Sequence, residues 1–283
     1  MNKLERVLAE YRGMAHVLKG GDYLAVLSAT AMNASKILKT GTLSSVDAAM
    51  SRNMTISYRK RNLYIPLADI DHILEEHRDN PTFGNVREIF ARDCYLWRLR
   101  LDTPQSRVLD LGANRGIFSI LALVVLQSEL VVGVEPLPVY LPVFEQLLKA
   151  NNCNPLRAPR YTRFVSNPSN ERRDPDHNVS IQTILREQNV PRFNLVKMDI
   201  EGHEKELFRE PEWLANVDSL TMELHPQLAG DLSLIPEALE RYGFEFAIMD
   251  QAGQPAGINF AVFLVGSTKG ALVGTSRDCS SNS

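Results

Sequence analysis

Two short phrases place ionisable side chains where strands should stop: Lys197-Met198-Asp199-Ile200-Glu201-Gly202-His203-Glu204 and Glu223-Leu224-His225-Pro226. Carboxylates at such places cost desolvation energy unless they are paired, hydrogen-bonded or metal-bound, which marks them for function. Strand alternation sends Glu223 and His225 to the same side. An imidazole that titrates near neutrality suits removal of a proton from an acceptor. His225 is therefore the candidate base, with Glu223 or Glu201 orienting it or the acceptor; a backbone carbonyl at the strand end is its competing partner. His203 is the alternative base. Asp199 is expected to bind acceptor or cofactor, or to join a divalent cation with Glu223 or Glu201. Oxygen ligands at adjacent strand ends suit Mg²⁺, but no metal motif of fixed spacing is present, so the expected mechanism is metal-free. Glu201 and Glu204 have a second account as residues that complement a helix N-terminus. Lys197 is expected to extend from the strand as a salt-bridge partner of these acids.

A second constellation lies upstream in Val108-Leu109-Asp110-Leu111-Gly112-Ala113-Asn114-Arg115-Gly116, followed at a distance by Glu135-Pro136. It reads as a strand, a tight turn and a helix. Gly112 permits a conformation that a β-carbon penalises, and Gly116 permits close approach at the helix start. The helix N-terminus offers free N–H groups to an anion. The next strand ends on Glu135, placed to grip two neighbouring ribose hydroxyls, so an adenosine-bearing cofactor is the natural occupant. The dinucleotide fingerprint G-x-G-x-x-G is broken by Asn114 at its middle glycine. A carboxylate at Asp110 opposes a pyrophosphate but suits the ammonium group of S-adenosylmethionine, reached directly or through water. Asp110, Gly112, Asn114, Gly116 and Glu135 are the candidate cofactor residues.

These side chains need a frame. From Arg107 onward apolar strands and helices alternate, which predicts an α/β, Rossmann-like, mostly parallel seven-stranded sheet with helices on both faces. Ligands of such sheets sit beyond the strands' carboxyl ends, where strand order reverses. The predicted strands are 107–111, 130–135, 163–166, 194–200, 219–224, 244–249 and 259–265, the last two antiparallel. Predicted helices follow from Ile117, Ile120, Leu121, Val124 and Val125, from Leu141, Phe144, Leu147 and Leu148, and from Ile235, Ala238, Leu239 and Tyr242. Ser180 is a candidate cap for a helix at 181–185, and 167–176 reads as a flexible loop. Phe208, Trp213 and Leu214 read as core. Residues 1–100 form a mainly helical extension, with helices over 69–79 and 86–101 and a hairpin or loop at 56–65. Three roles stay open for it: a cap over the cofactor, a wall for the substrate, or the interface of a homodimer. Residues 101–266 are the predicted catalytic domain and 267–283 a disordered tail.

Bulk properties narrow the class. In 283 residues, 44% are hydrophobic and 23% charged, as in ordinary globular cores. A net charge of −3 gives no argument for nucleic acid. The apolar run 117–126 is too short to span a bilayer, so no membrane partner is expected. Cys94, Cys153 and Cys279 show neither pairing nor metal spacing, and no secretory signal follows Met1, which together favour a cytoplasmic setting.

With these residues in view, the chain resembles the FkbM family of S-adenosylmethionine-dependent methyltransferases. The resemblance rests on the D-x-G-A-N-x-G turn at 110–116, on Glu135-Pro136, on K-M-D-I-E-G-H-E at 197–204 and on the Glu223-Leu224-His225 strand end, and it covers residues 85–265. It implies a Rossmann-like class I methyltransferase that binds S-adenosylmethionine and methylates a hydroxyl of a small metabolite, sugar or glycan. His203 departs from the small residue common at that place in the family. The rival reading, from a different functional class, is a non-catalytic adenosyl-ligand-binding module that regulates a partner protein; the acids and histidine at 199–225 weigh against it.

Overall fold

The computed structural model describes residues 3–74, 81–99, 105–250, 253–269 and 272. The described part of the chain falls into two compact units, and each takes non-contiguous pieces of the sequence. The first comprises residues up to Cys94 together with Arg115–Val125 and Val139–Pro155, and the second holds Tyr95–Asn114, Leu126–Pro138 and the chain from Leu156 onward. The helices Ile117–Val124 and Leu141–Ala150 thus cluster with the N-terminal residues.

In the first unit the hairpin anticipated at 56–65 is β1 (Met54–Tyr58) and β2 (Arg61–Ile65). Arg59 and Lys60 turn it with φ of 46° and 61°, the left-handed pair that the right-handed twist of a two-residue hairpin demands. The side chain of Asn151 bonds both backbone groups of Tyr64, accepting at 2.8 Å and donating at 2.7 Å, and so fixes the hairpin to the helix Leu141–Ala150. Buried Arg87 is held between Asp47 and Glu10. The helix expected over 86–101 is shorter. Thr82–Val86 runs into a π-turn, Arg87–Ala91, and ends at Asp93, which takes φ 48° and accepts the Tyr58 hydroxyl at 2.6 Å. The helix placed at 69–79 is Leu67–Ile73; residues 75–80 lie outside the described part, as do 100–104 and most of the predicted tail.

The second unit carries the sheet. Its strands are β3 (Arg107–Leu111), β4 (Leu130–Val134), β5 (Arg160–Tyr161), β8 (Phe193–Met198), β9 (Val217–Glu223), β10 (Glu245–Met249) and β11 (Phe263–Ser267); β6 (Phe164–Ser166) and β7 (Asn178–Ser180) form a separate parallel pair. The order across the sheet is β10-β11-β9-β8-β3-β4-β5. All pairings from β9 to β5 are parallel, and β11 runs antiparallel between β9 and β10. Order reverses at β3, so the crevice of such a sheet opens beyond the carboxyl ends of β3 and β8. This is a Rossmann-like fold with a mostly parallel seven-stranded sheet.

Two predicted elements change. The strand expected near 163–166 exists as β6 but stands outside the main sheet, whose edge is instead the two-residue β5, too short to leave a pattern. The loop expected at 167–176 contains the helix Pro168–Arg173, with Pro168 in its first turn and Asn167 Oδ1 accepting from the Asn170 N–H at 2.8 Å. Those Asn and Pro residues are cap chemistry rather than loop chemistry. Ser180 does cap the helix Ile181–Glu187, accepting from Thr183.

One face of the sheet, carrying Leu109, Leu111, Val132, Val196, Met198, Leu220 and Met222, packs with Ile184, Phe208, Trp213, Ile235 and Leu239 into a single buried cluster. Alternation then puts Asp110, Lys197 and Thr221 on the opposite face. Apolar cover on one face and a buried ion pair on the other set up the site.

Candidate functional site

Asp110 and Lys197 are register partners in the parallel ladder of β3 and β8. Both are buried, Asp110 completely, and the Lys197 Nζ lies 3.2 Å from Asp110 Oδ1. The ammonium also donates to the carbonyl of Gly112 at 2.8 Å. Burial pulls the Lys197 pKa down, and the charges of Asp110 and Asp199 more than offset this, leaving it above the ordinary lysine value. Lys197 is the salt-bridge partner expected, 4.0 Å from Asp199 Oδ2 and closer still to Asp110, with its side chain running beneath the turn. Asp110 has no exposed surface, and its contact with Lys197 braces the turn from beneath.

The turn itself is set by backbone constraints. Gly112 has φ +70°, and a β-carbon there would sit 1.6 Å from the Asp199 carbonyl oxygen. The Asp199 N–H donates to the Leu111 carbonyl at 3.0 Å, so the end of β8 is laced onto the turn. Asn114, where a dinucleotide site has glycine, takes φ 47°, a left-handed state that asparagine tolerates better than most residues. Its N–H donates to Glu135 Oε2 at 2.9 Å, and its carbonyl accepts from Arg160. Gly116, in the first unit, has φ +86° and is excluded from carrying a side chain by the Phe144 ring, 2.2 Å from an added β-carbon.

Glu135 follows β4 and is buried. Its Oε2 takes the Asn114 N–H and its Oε1 the Leu137 N–H at 3.0 Å. A carboxylate oxygen has two acceptor sites, so each still offers one, and the pair is spaced for a vicinal diol. This pair of acceptors fits the ribose diol of an adenosine ligand.

At the neighbouring strand ends the structure brings Asp199, Glu201, Glu223 and His225 into one cluster. Tyr95 joins two of them: its hydroxyl is 2.9 Å from Asp199 Oδ2 and 3.4 Å from Glu223 Oε2. The His225 Nε2 faces Asp199 Oδ1 at 3.9 Å and Glu201 Oε2 at 3.4 Å. Its Nδ1 is 2.8 Å from Oε1 of the fully buried Glu204. The strand-end carbonyl considered as a partner for His225 is replaced by this carboxylate. Burial lowers the His225 pKa, but the hydrogen bond and charge of Glu204, with the charges of Asp199 and Glu201, push it up to about 9.

Glu201 reaches the cluster because it and Gly202 both adopt left-handed φ, 52° and 96°. His203 is exposed, with Nδ1 3.2 Å from the Ile200 carbonyl and its ring beside Phe164; its described contacts lie away from the cluster. Sequence reasoning missed Tyr95, which belongs to no motif, and read Glu204 as a helix-start residue. The available signal for Glu204 was an acid in the first turn of a very short helix, one turn from the strand end.

Residues 110–246 match the methyltransferase FkbM domain. Among curated proteins none matches the chain. Similar solved structures include methyltransferase FkbM from Methylobacillus flagellatus KT, at 17% identity and TM-score 0.43 over 59% of this chain and 44% of that one. Others are a ribosomal protein L11 methylase from Lactobacillus delbrueckii subsp. bulgaricus, at 16% identity and TM-score 0.37 over 59% of this chain and 71% of that one, and a putative SAM-dependent methyltransferase from Streptococcus mutans, at 9% identity and TM-score 0.43 over 77% and 55%. No helix among the described residues is long and apolar enough to cross a membrane. Over residues 110–246, just under half of its length, the chain is thus similar to the methyltransferase FkbM domain.

Proposed function

We propose that the chain methylates a hydroxyl of a small acceptor, a metabolite, sugar or glycan, by in-line displacement. The observation that carries this reading is the joining of Asp199, Glu201, Glu223 and His225 at strand ends beside a turn suited to adenosine. When bound, S-adenosylmethionine supplies an activated methyl group on a sulfonium. The chain must hold the acceptor oxygen in line and take its proton. Glu135 holds the ribose diol. Gly112 and Asn114 shape the turn that Asp110 and Lys197 support from below. Glu223 and Asp199, held together by Tyr95, offer acceptors to the incoming hydroxyl group, and the proton passes into the cluster around His225. A cytoplasmic setting and a small-molecule partner complete the reading.

Incubation with methyl-labelled S-adenosylmethionine and a panel of hydroxylated acceptors tests it. A labelled methyl ether, identified by mass spectrometry, is expected. Label on nitrogen or carbon would overturn the O-methylation reading, and cofactor binding without turnover on any acceptor would favour the regulatory binding module. Glu135→Ala is expected to weaken S-adenosylmethionine binding about 10- to 100-fold by calorimetry, because two hydrogen bonds to an ionised acceptor are lost. Unchanged affinity would remove Glu135 from the ribose.

A further inference from the structure

The cluster is arranged as a ligand set. Asp199, Glu201 and His225 each present one metal-ligand atom, all within 4.8 Å of one another. First-row divalent ions hold nitrogen and oxygen ligands at about 2.0–2.2 Å, which puts neighbouring ligand atoms about 3.0–3.5 Å apart. The 3.4 Å from His225 Nε2 to Glu201 Oε2 already meets that spacing, and the 3.9 Å to Asp199 Oδ1 lies just outside it.

Two of the three ligands are fixed from behind. His225 is 8% exposed and its Nδ1 is bound to Glu204, while its Nε2 is aimed into the cluster and has no hydrogen bond among the described residues. Metal-binding histidines typically donate their second ring N–H to a carboxylate in this manner. Asp199 has Oδ2 tied to the Tyr95 hydroxyl and Oδ1 turned toward Nε2. The third ligand, Glu201, has a side chain 77% exposed, which leaves it free to close onto an ion and keeps one side of the cluster open.

We propose that Asp199, Glu201 and His225 bind one first-row divalent cation, Zn²⁺ or Mn²⁺ in preference to Mg²⁺, with Glu204 and Tyr95 orienting two of the ligands. The imidazole decides the metal class, since Mg²⁺ favours an all-oxygen shell. This departs from the metal-free mechanism expected from the sequence and from the oxygen-only site considered there. A cation here would lower the pKa of an adjacent hydroxyl and would make His225 a ligand rather than the proton acceptor. That catalytic consequence rests on the methyl-transfer reading; the binding does not.

The test is calorimetric titration of chelator-stripped full-length protein with Zn²⁺, Mn²⁺ and Mg²⁺. One equivalent of Zn²⁺ or Mn²⁺ should bind at least 10-fold more tightly than Mg²⁺. His225→Ala and Asp199→Asn should each weaken binding 100-fold or more, and Glu204→Gln about 10- to 100-fold. Glu201→Gln, at an exposed side chain whose loss spares the fold, should weaken it at least 10-fold. Glu237→Gln, on an exposed position of another helix, should leave it unchanged. No saturable binding, equal affinity for Mg²⁺, or binding unaltered by Glu201→Gln and His225→Ala would overturn the proposal. S-adenosylmethionine binding by the same stripped protein separates the two readings: cofactor binding without metal binding overturns the cation alone, and metal binding without cofactor binding overturns the methyl-transfer reading alone.

Discussion

Lys197→Met is expected to lower the unfolding free energy by about 3–5 kcal/mol, measured by urea denaturation of the folded variant. Lys197 and Asp110 are both buried neighbours in the β3 and β8 ladder, with Nζ and Oδ1 3.2 Å apart. Removing the ammonium takes the cation 3.2 Å away from a fully buried carboxylate, and it also removes a donor to the Gly112 carbonyl. Replacing a buried ion pair on both sides is far milder than breaking it on one. The double variant Asp110→Asn with Lys197→Met should therefore recover more than half of the loss. A single-variant loss under about 1 kcal/mol would mean that water or another cation compensates Asp110, and the bracing role would fall.

His225→Ala is expected to lower kcat about 10²- to 10⁴-fold with S-adenosylmethionine affinity within twofold of the parent. The effect belongs to turnover because His225 and the turn that bears Glu135 are separate parts of the sheet end, after β9 and after β4. On the proposed function its Nε2 serves the acceptor hydroxyl whether it takes the proton or holds a cation, so the loss is expected in both cases. Glu204→Gln retains the ring but weakens the grip on Nδ1, and should give a smaller fall in kcat with KM for the cofactor unchanged. Full activity of His225→Ala would remove the histidine from the reaction.

The sequence made the strands, the switch point and the acid-bearing strand ends legible, because each rests on local rules: alternation, glycine at forbidden dihedrals, caps. Val108 to Leu111 and Leu130 to Val134 are apolar enough to be strands in any context. What stayed hidden depends on pairing between distant segments. The direction of Lys197 follows from its register with Asp110 across two strands, and no spacing along the chain encodes that. Tyr95 lies 104 residues from Asp199, which it binds. Glu204 carries both the signature of a helix start and the role of partner to His225, and the local signal masked the distant one. The position of β5 at the sheet edge was equally invisible, since two residues show no period.

The contact of Gly112 with the Asp199 carbonyl, closed by the Leu111 to Asp199 hydrogen bond, has a bearing on how acceptor preference can change. On the proposed function, donor grip and acceptor pocket share a single seam of main chain there, so neither would drift without dragging the other. Substitutions at 199 aimed at a new acceptor should carry a penalty in cofactor affinity.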